Sequence, residues 1–168
     1  MRDVEIDGHS LTLEDAVAVS HAHPTTGPSG RAVLSDQSRA AMSASRAAIE
    51  NIIQSDDVVY GINTGFGAMS SVRIEGNDLE DLQTNLIRSH ACGIGDLMHP
   101  EHVLLMMVFR ANSLAKGVSG IRPEIVEMLI EMINSGIAPV VPRIGSLGAS
   151  GDLAPLSHMS LALLGEGE

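Results

Sequence analysis

Aromatic side chains are nearly missing from this chain. Its 168 residues include one tyrosine, Tyr60, two phenylalanines, Phe66 and Phe109, and no tryptophan. A core must therefore be aliphatic, drawn from alanine, leucine, isoleucine, valine and nine methionines, with helices packed closely. Cysteine is reduced to Cys92, which excludes a disulfide within the chain and fits a reducing, cytoplasmic setting. Basic residues are few: 10 against 21 acidic ones leave a formal net charge of -11, which argues against a nucleic-acid partner. An apolar run of about 18 residues is absent, as is a basic segment leading into an apolar one at the start. Neither a membrane partner nor a secretory leader is expected. The nucleotide-phosphate patterns G-x-G-x-x-G and G-x-x-x-x-G-K-[ST] are not found either.

What is present reads as helix interrupted by glycine-rich loops. Residues 1–10 form a short extended arm turning at Asp7-Gly8. A small helix follows over residues 11–20, with Thr12 as its cap and Asp15 completing a capping box with the shorter acid. Residues 21–30 are a polar loop. Its His21/His23 pair has no carboxylate or cysteine spaced to complete a metal site, so no metal is expected.

Residues 35–55 are helical, with Ala40, Ala44, Ala47, Ala48 and Ile52 on the apolar face and Ser38, Arg46 and Glu50 around the remainder. Asn77 is expected to cap the next helix with Glu80 in a second capping box, and His90 continues the stripe of Leu79, Leu82 and Leu86 up to a stop at Cys92-Gly93. Two further helices begin at Pro100 and Pro123. They bury Val103, Leu104, Met107, Ala111 and Leu114, and Val126, Leu129, Ile130 and Ile133. Asp152 is expected to cap a last helix carrying Leu156, Met159, Leu163 and Leu164. The fold class is mainly helical, with short strands at most.

Two loops stand apart. Tyr60-Gly61-Ile62-Asn63-Thr64-Gly65-Phe66-Gly67 has too many glycines for a helix or strand, and Tyr60 at its lip reads, on the residues alone, as a core or interface tyrosine. Gly145-Ser146-Leu147-Gly148-Ala149-Ser150-Gly151-Asp152-Leu153-Ala154-Pro155-Leu156 is a tight polar loop feeding a helix. His90, on periodicity alone, is a hydrogen-bonded histidine of an apolar face. The block Arg110-Ala111-Asn112-Ser113-Leu114-Ala115-Lys116-Gly117-Val118-Ser119-Gly120-Ile121-Arg122 puts charged and amide groups beside a helix built for burial, as structural partners for nearby loops.

These blocks, in this order, resemble the histidine and aromatic amino acid ammonia-lyases. The resemblance implies the fumarase/aspartase-like helical fold and a prosthetic group, 4-methylidene-imidazol-5-one (MIO), made when Ala149, Ser150 and Gly151 cyclise with loss of two waters. The Gly151 amide nitrogen attacks the Ala149 carbonyl, which demands small side chains, and Ser150 becomes the methylidene carbon. Gly148, Asp152 and Leu153 are implied as support for the loop and its cyclisation.

Tyr60 is implied as the base that removes a β-proton, with Asn63 and Gly67 helping to bind substrate. An unperturbed tyrosine has a pKa of about 10, so that role requires a more acidic phenol. His90 resembles the histidine-specific branch, which implies L-histidine as substrate and trans-urocanate as product. Tyrosine- or phenylalanine-specific lyases and aminomutases are the alternative within the family, and a catalytically silent helical assembly module is the alternative outside it. Family members are several-fold longer homotetramers with shared active sites. Residues 1–168 are therefore expected to be the N-terminal, MIO-bearing part of a longer lyase, lacking the C-terminal helical bundle and inactive alone.

Overall fold

The structure is a computed structural model that describes residues 1–20, 28–148 and 152–168. Among the described residues the strands and α-helices follow in the order β1 (Arg2–Ile6), α1 (Leu13–Ser20), β2 (Gly30–Leu34), α2 (Asp36–Gln54), α3 (Gly76–His90), β3 (Ile94–Leu97), α4 (Pro100–Leu114), α5 (Pro123–Asn134), β4 (Pro142–Ile144) and α6 (Leu153–Leu163). Helix dominates, as expected, and the strands form two small sheets. β1 and β2 run parallel, with Arg2 opposite Gly30 and Ile6 opposite Leu34. β3 and β4 run antiparallel with an irregular register between Ile94 and Leu97.

β2, β3 and β4 were not expected as strands. Each is five residues or fewer, too short for its alternation to stand out from a loop. β2 also starts at Gly30, inside the stretch read as loop, and its far edge is closed by a side chain. Asn134, the last residue of α5, accepts from the Ala32 N–H at 2.8 Å and donates its own amide to the Ala32 carbonyl at 2.9 Å. The carboxamide thus takes the place of a third strand.

The core lies where α1, α4 and α5 pack on this parallel pair. Ile6, Val19, Val103, Leu104, Met107, Val108, Val126, Leu129 and Ile133 are all shielded from solvent. Each large aliphatic side chain so buried stabilises the fold by roughly 1.5–3 kcal/mol. The expected buried faces of α4 and α5 are those observed. Proline at the first turn of each explains where they begin.

α1 begins with the expected capping box. The Asp15 N–H donates to the Thr12 hydroxyl at 3.1 Å, and that hydroxyl donates to the Asp15 carboxylate at 2.7 Å.

Three local expectations are corrected. α3 starts at Gly76 with Glu75 in the cap position and no side-chain cap bond, so Asn77 lies inside the first turn rather than before it. α2 buries the side of Ser38 and Met42, while Ala40, Ala44, Ala47 and Ala48 are exposed. Alanine has too little surface to orient a helix. The choice falls instead to Ser38, whose hydroxyl donates to the Asp7 carbonyl at 3.2 Å, and to the backbone of residues 117–120 packed along the same side.

Gly120 shows how close that approach is. With φ at 69°, its added Cβ would stand 2.2 Å from Ile49 Cγ1. Its N–H donates to Ser45 at 3.0 Å. The third correction concerns Asp152. It occupies the cap position of α6, but its side chain makes no cap bond.

Candidate active site

The Tyr60 loop is held from within. Asn63 is 2% exposed, and both ends of its carboxamide are used: it accepts from the Val59 N–H and donates to the Asp57 carbonyl, each at 2.8 Å. Thr64, equally buried, donates to the Gly65 carbonyl at 2.9 Å. The Ile74 N–H donates to the Asn63 carbonyl at 2.9 Å, which ties the loop to the segment entering α3. Gly67 opens a single 3₁₀ turn, Gly67–Met69, at a φ of 57°.

On this frame Tyr60 stands 63% exposed, with its ring and that of Phe66 edge to face, centroids 6.0 Å apart. The reading of Tyr60 as a core residue is therefore not met: its phenol faces outward from the described residues.

His90 ends α3 and is half-buried. Its Nδ1 lies 2.8 Å from the Leu86 carbonyl, so Nδ1 carries the proton and Nε2 keeps its lone pair in the neutral ring. The chain then turns sharply: the Cys92 N–H donates to the His90 carbonyl at 2.8 Å around Ala91, at φ -76° and ψ 60°. That is an inverse γ-turn.

A hollow of about 770 Å³ runs along α3, lined by Gly61, Ile62, Leu79, Gln83 and Ile87, with Arg46 of α2 opposite. His90 lies on the same helical face as Gln83 and Ile87, less than one turn beyond the hollow's end. Neither Tyr60, His90 nor Asp152 lines this hollow, or the smaller one of about 480 Å³ beside His99, His102 and Arg143. Among the described residues, Tyr60, His90 and Asp152 therefore sit on separate segments and line neither of these two hollows. α3 has no fully buried residue among those described, so its apolar stripe is only half covered.

The third segment brackets residues 149–151. Ala149, Ser150 and Gly151 lie outside the described residues, as do His21 and His23. Their flanks are joined: the Ser146 hydroxyl donates to the Asp152 carboxylate. Asp152 itself takes a left-handed conformation, φ 59° and ψ 37°, which aspartate tolerates better than most residues. No described residue stands within 4 Å of where a Cβ on Gly148 would be, and Leu153 begins α6 42% exposed. A segment whose two ends are held together by a side-chain bond fits a group that forms by closing the chain on itself. Ser146 was missed by sequence reasoning as a partner for Asp152, because nothing in the motif says which polar group that carboxylate meets.

The fourth block supplies a structural partner for a loop. Asn112 accepts from the Gly8 N–H at 2.9 Å, so it holds the turn after β1. Among the described residues no group of three metal-ligating side chains comes together, and no helix is long and apolar enough to cross a membrane.

This fold recurs in solved structures that include amino acid ammonia-lyases and aminomutases. A tyrosine aminomutase from Streptomyces globisporus superposes with a TM-score of 0.87 at 39% identity, over 98% of this chain and 30% of that one. Histidine ammonia-lyase from Trypanosoma cruzi superposes with a TM-score of 0.84 at 41% identity, over 99% and 30%. The family model for aromatic amino acid lyases matches residues 11–168, and the chain belongs to that family.

Among curated relatives, histidine ammonia-lyase from Geobacillus thermodenitrificans is 52% identical over 98% of this chain. The corresponding protein from Shouchella clausii is 53% identical over 165 residues. The chain spans 32% of the length of each of these two relatives. MIO-dependent lyase or aminomutase chemistry is the activity of the family.

Proposed function

We propose that the protein carrying this chain is a histidine ammonia-lyase, releasing ammonia from L-histidine to give trans-urocanate. The observation that carries the reading is the exposed Tyr60 phenol on a loop locked by Asn63 and Thr64, in a chain 52% identical to a histidine ammonia-lyase. MIO formed from Ala149, Ser150 and Gly151 would supply an electrophilic carbon for the substrate amine.

Tyr60, as the base, takes the β-proton. The C–H electrons become the new C=C bond, and the C–N electrons leave with ammonia. Asn63 and Gly67 shape the loop that presents Tyr60 and help to bind substrate. His90, with Nε2 free to accept, hydrogen-bonds the N–H of the substrate imidazole. Gly148, Asp152 and Leu153 hold the cyclising segment at its flanks. Tyr60, His90 and Asp152 line neither of the two hollows, which fits a site completed by the rest of the protein and by other subunits of a homotetramer, expected in the cytoplasm. The 168-residue piece alone is then inactive.

Superposition on tyrosine aminomutase favours a second reading, in which the substrate is tyrosine or phenylalanine. Turnover of L-histidine, L-tyrosine and L-phenylalanine by the full-length protein separates the two. Urocanate from L-histidine is expected; a cinnamate, a coumarate or a β-amino acid as the main product would replace the first reading with the second. Ser150→Ala should keep the fold but lose the mass deficit of two waters and the activity. Tyr60→Phe should keep the deficit and lose most turnover.

A further inference from the structure

One half-buried histidine makes a bond that no step above uses. His158, in the second turn of α6, accepts from the Gly93 N–H at 3.0 Å through Nε2, across 65 residues of sequence. A ring nitrogen that accepts carries a lone pair, so the ring is neutral with its proton on Nδ1. Burial acts in the same direction, pushing His158 below the ordinary imidazole value.

The contact is set by close backbone approach. A Cβ on Gly93 would stand 3.0 Å from His158 Nε2 and 3.1 Å from Pro142 Cβ. One on Gly145 would stand 3.0 Å from Gly93 Cα and 3.3 Å from Ala154 Cβ. The exit from α3, the exit from β4 and the start of α6 therefore meet at glycines, and the His158 bond supplies direction to that junction. Upstream, the γ-turn at Ala91 leaves His90 and Gly93 little freedom relative to one another.

We propose that His158 is a positioning residue: by accepting from Gly93 it fixes the turn that carries His90 against α6, the helix that directly follows the 149–151 segment. The inference rests on the reading that His90 meets the substrate. Removing the acceptor leaves a half-buried N–H unpaired and frees the turn, which displaces His90 without touching the chemistry at Tyr60 or Ser150.

The test uses the full-length protein with H158Q, H158N and H158L. Glutamine brings an oxygen to about the place of Nε2, asparagine stops short of it, and leucine keeps bulk without an acceptor. H158N and H158L are expected to lose about tenfold in kcat/KM for L-histidine, on the scale of a small misplacement of a binding group. H158Q should stay close to wild type, and all three should keep the two-water mass deficit. Hydrogen exchange of the peptide containing Gly93 should quicken in H158N and H158L only.

Wild-type kcat/KM in H158N, or an equal loss in H158Q and H158N, overturns the proposal. If H158L does not fold, the H158Q and H158N pair still decides. A wild-type protein that ignores L-histidine overturns the reading of His90 instead. The exchange difference between H158N and H158Q then still reports whether the bond holds the turn.

Discussion

Asn63 illustrates how much one residue can carry in a loop without regular structure. Its carboxamide closes two backbone bonds from a position 2% exposed, so it does the work a strand partner would do elsewhere. Asn63→Ala would leave the Val59 N–H and the Asp57 carbonyl without that partner, at a cost of about 2 kcal/mol. Because Tyr60 rides on this loop, the variant should also lower kcat in the full-length protein while the two-water mass deficit persists. Urea unfolding, intact mass and turnover measured together check this. Normal turnover with reduced stability would confine Asn63 to folding.

The sequence pattern pointed to Asn63 through its glycine-rich neighbours, but not to the direction of its amide. That depends on carbonyls whose orientation only the folded loop defines. His158 was illegible for the same reason: its partner, Gly93, is distant in sequence and offers no side chain to recognise.

At the level of elements, the β1–β2 pair is too small to stand alone, and Asn134 is what closes its open edge. Asn134→Ala is expected to destabilise the chain by about 2 kcal/mol, since two backbone groups of Ala32 lose their partner together. Asn134→Asp should restore only the bond from the Ala32 N–H and fall between the two. Thermal unfolding of the three proteins gives the order, and an alanine variant as stable as the parent would mean water replaces the amide.

Helices α4 and α5 were legible because long apolar side chains recur at helical spacing and proline marks their starts. α2 was legible as a helix but not in its orientation. Its alanines favour helix whichever way it faces, and the side that is buried is the one where Ser38, Ser45 and Ile49 meet Asp7 and Gly120.

For the whole molecule, pH acts in two opposing ways. The chain carries a formal charge of -11 and has an isoelectric point of about 4.9, so acidification first relieves self-repulsion. Asp7 works against this further down. The N–H groups of Ser10 and His9 donate to its carboxylate and hold it at about 2, below the ordinary 3.8. The unfolded chain then binds that proton at higher pH than the folded one does. Its stabilisation is complete above 3.8 and is lost as pH falls towards about 2.

Asp7→Asn keeps an accepting oxygen but no titrating group, so its unfolding midpoint should depend less on pH below 3.8 than that of the parent. Parallel slopes for the two proteins would assign the acid sensitivity to other carboxylates.

By itself the sequence determined the class. Local glycine and proline chemistry together with aliphatic spacing implied a helical protein with two shaped loops, and four ordered blocks pointed to the lyase family, because such signals are local and survive reading one residue at a time. Tertiary structure decided which face of α2 is buried, that Asn134 and not a third strand completes the small sheet, and that His158 pins Gly93. It also placed Tyr60, His90 and Asp152 on separate segments, none of them lining either of the two hollows found among the described residues. Those outcomes turn on hydrogen bonds and close approaches between residues far apart in sequence, whose energies exist only once the backbone has brought the partners together.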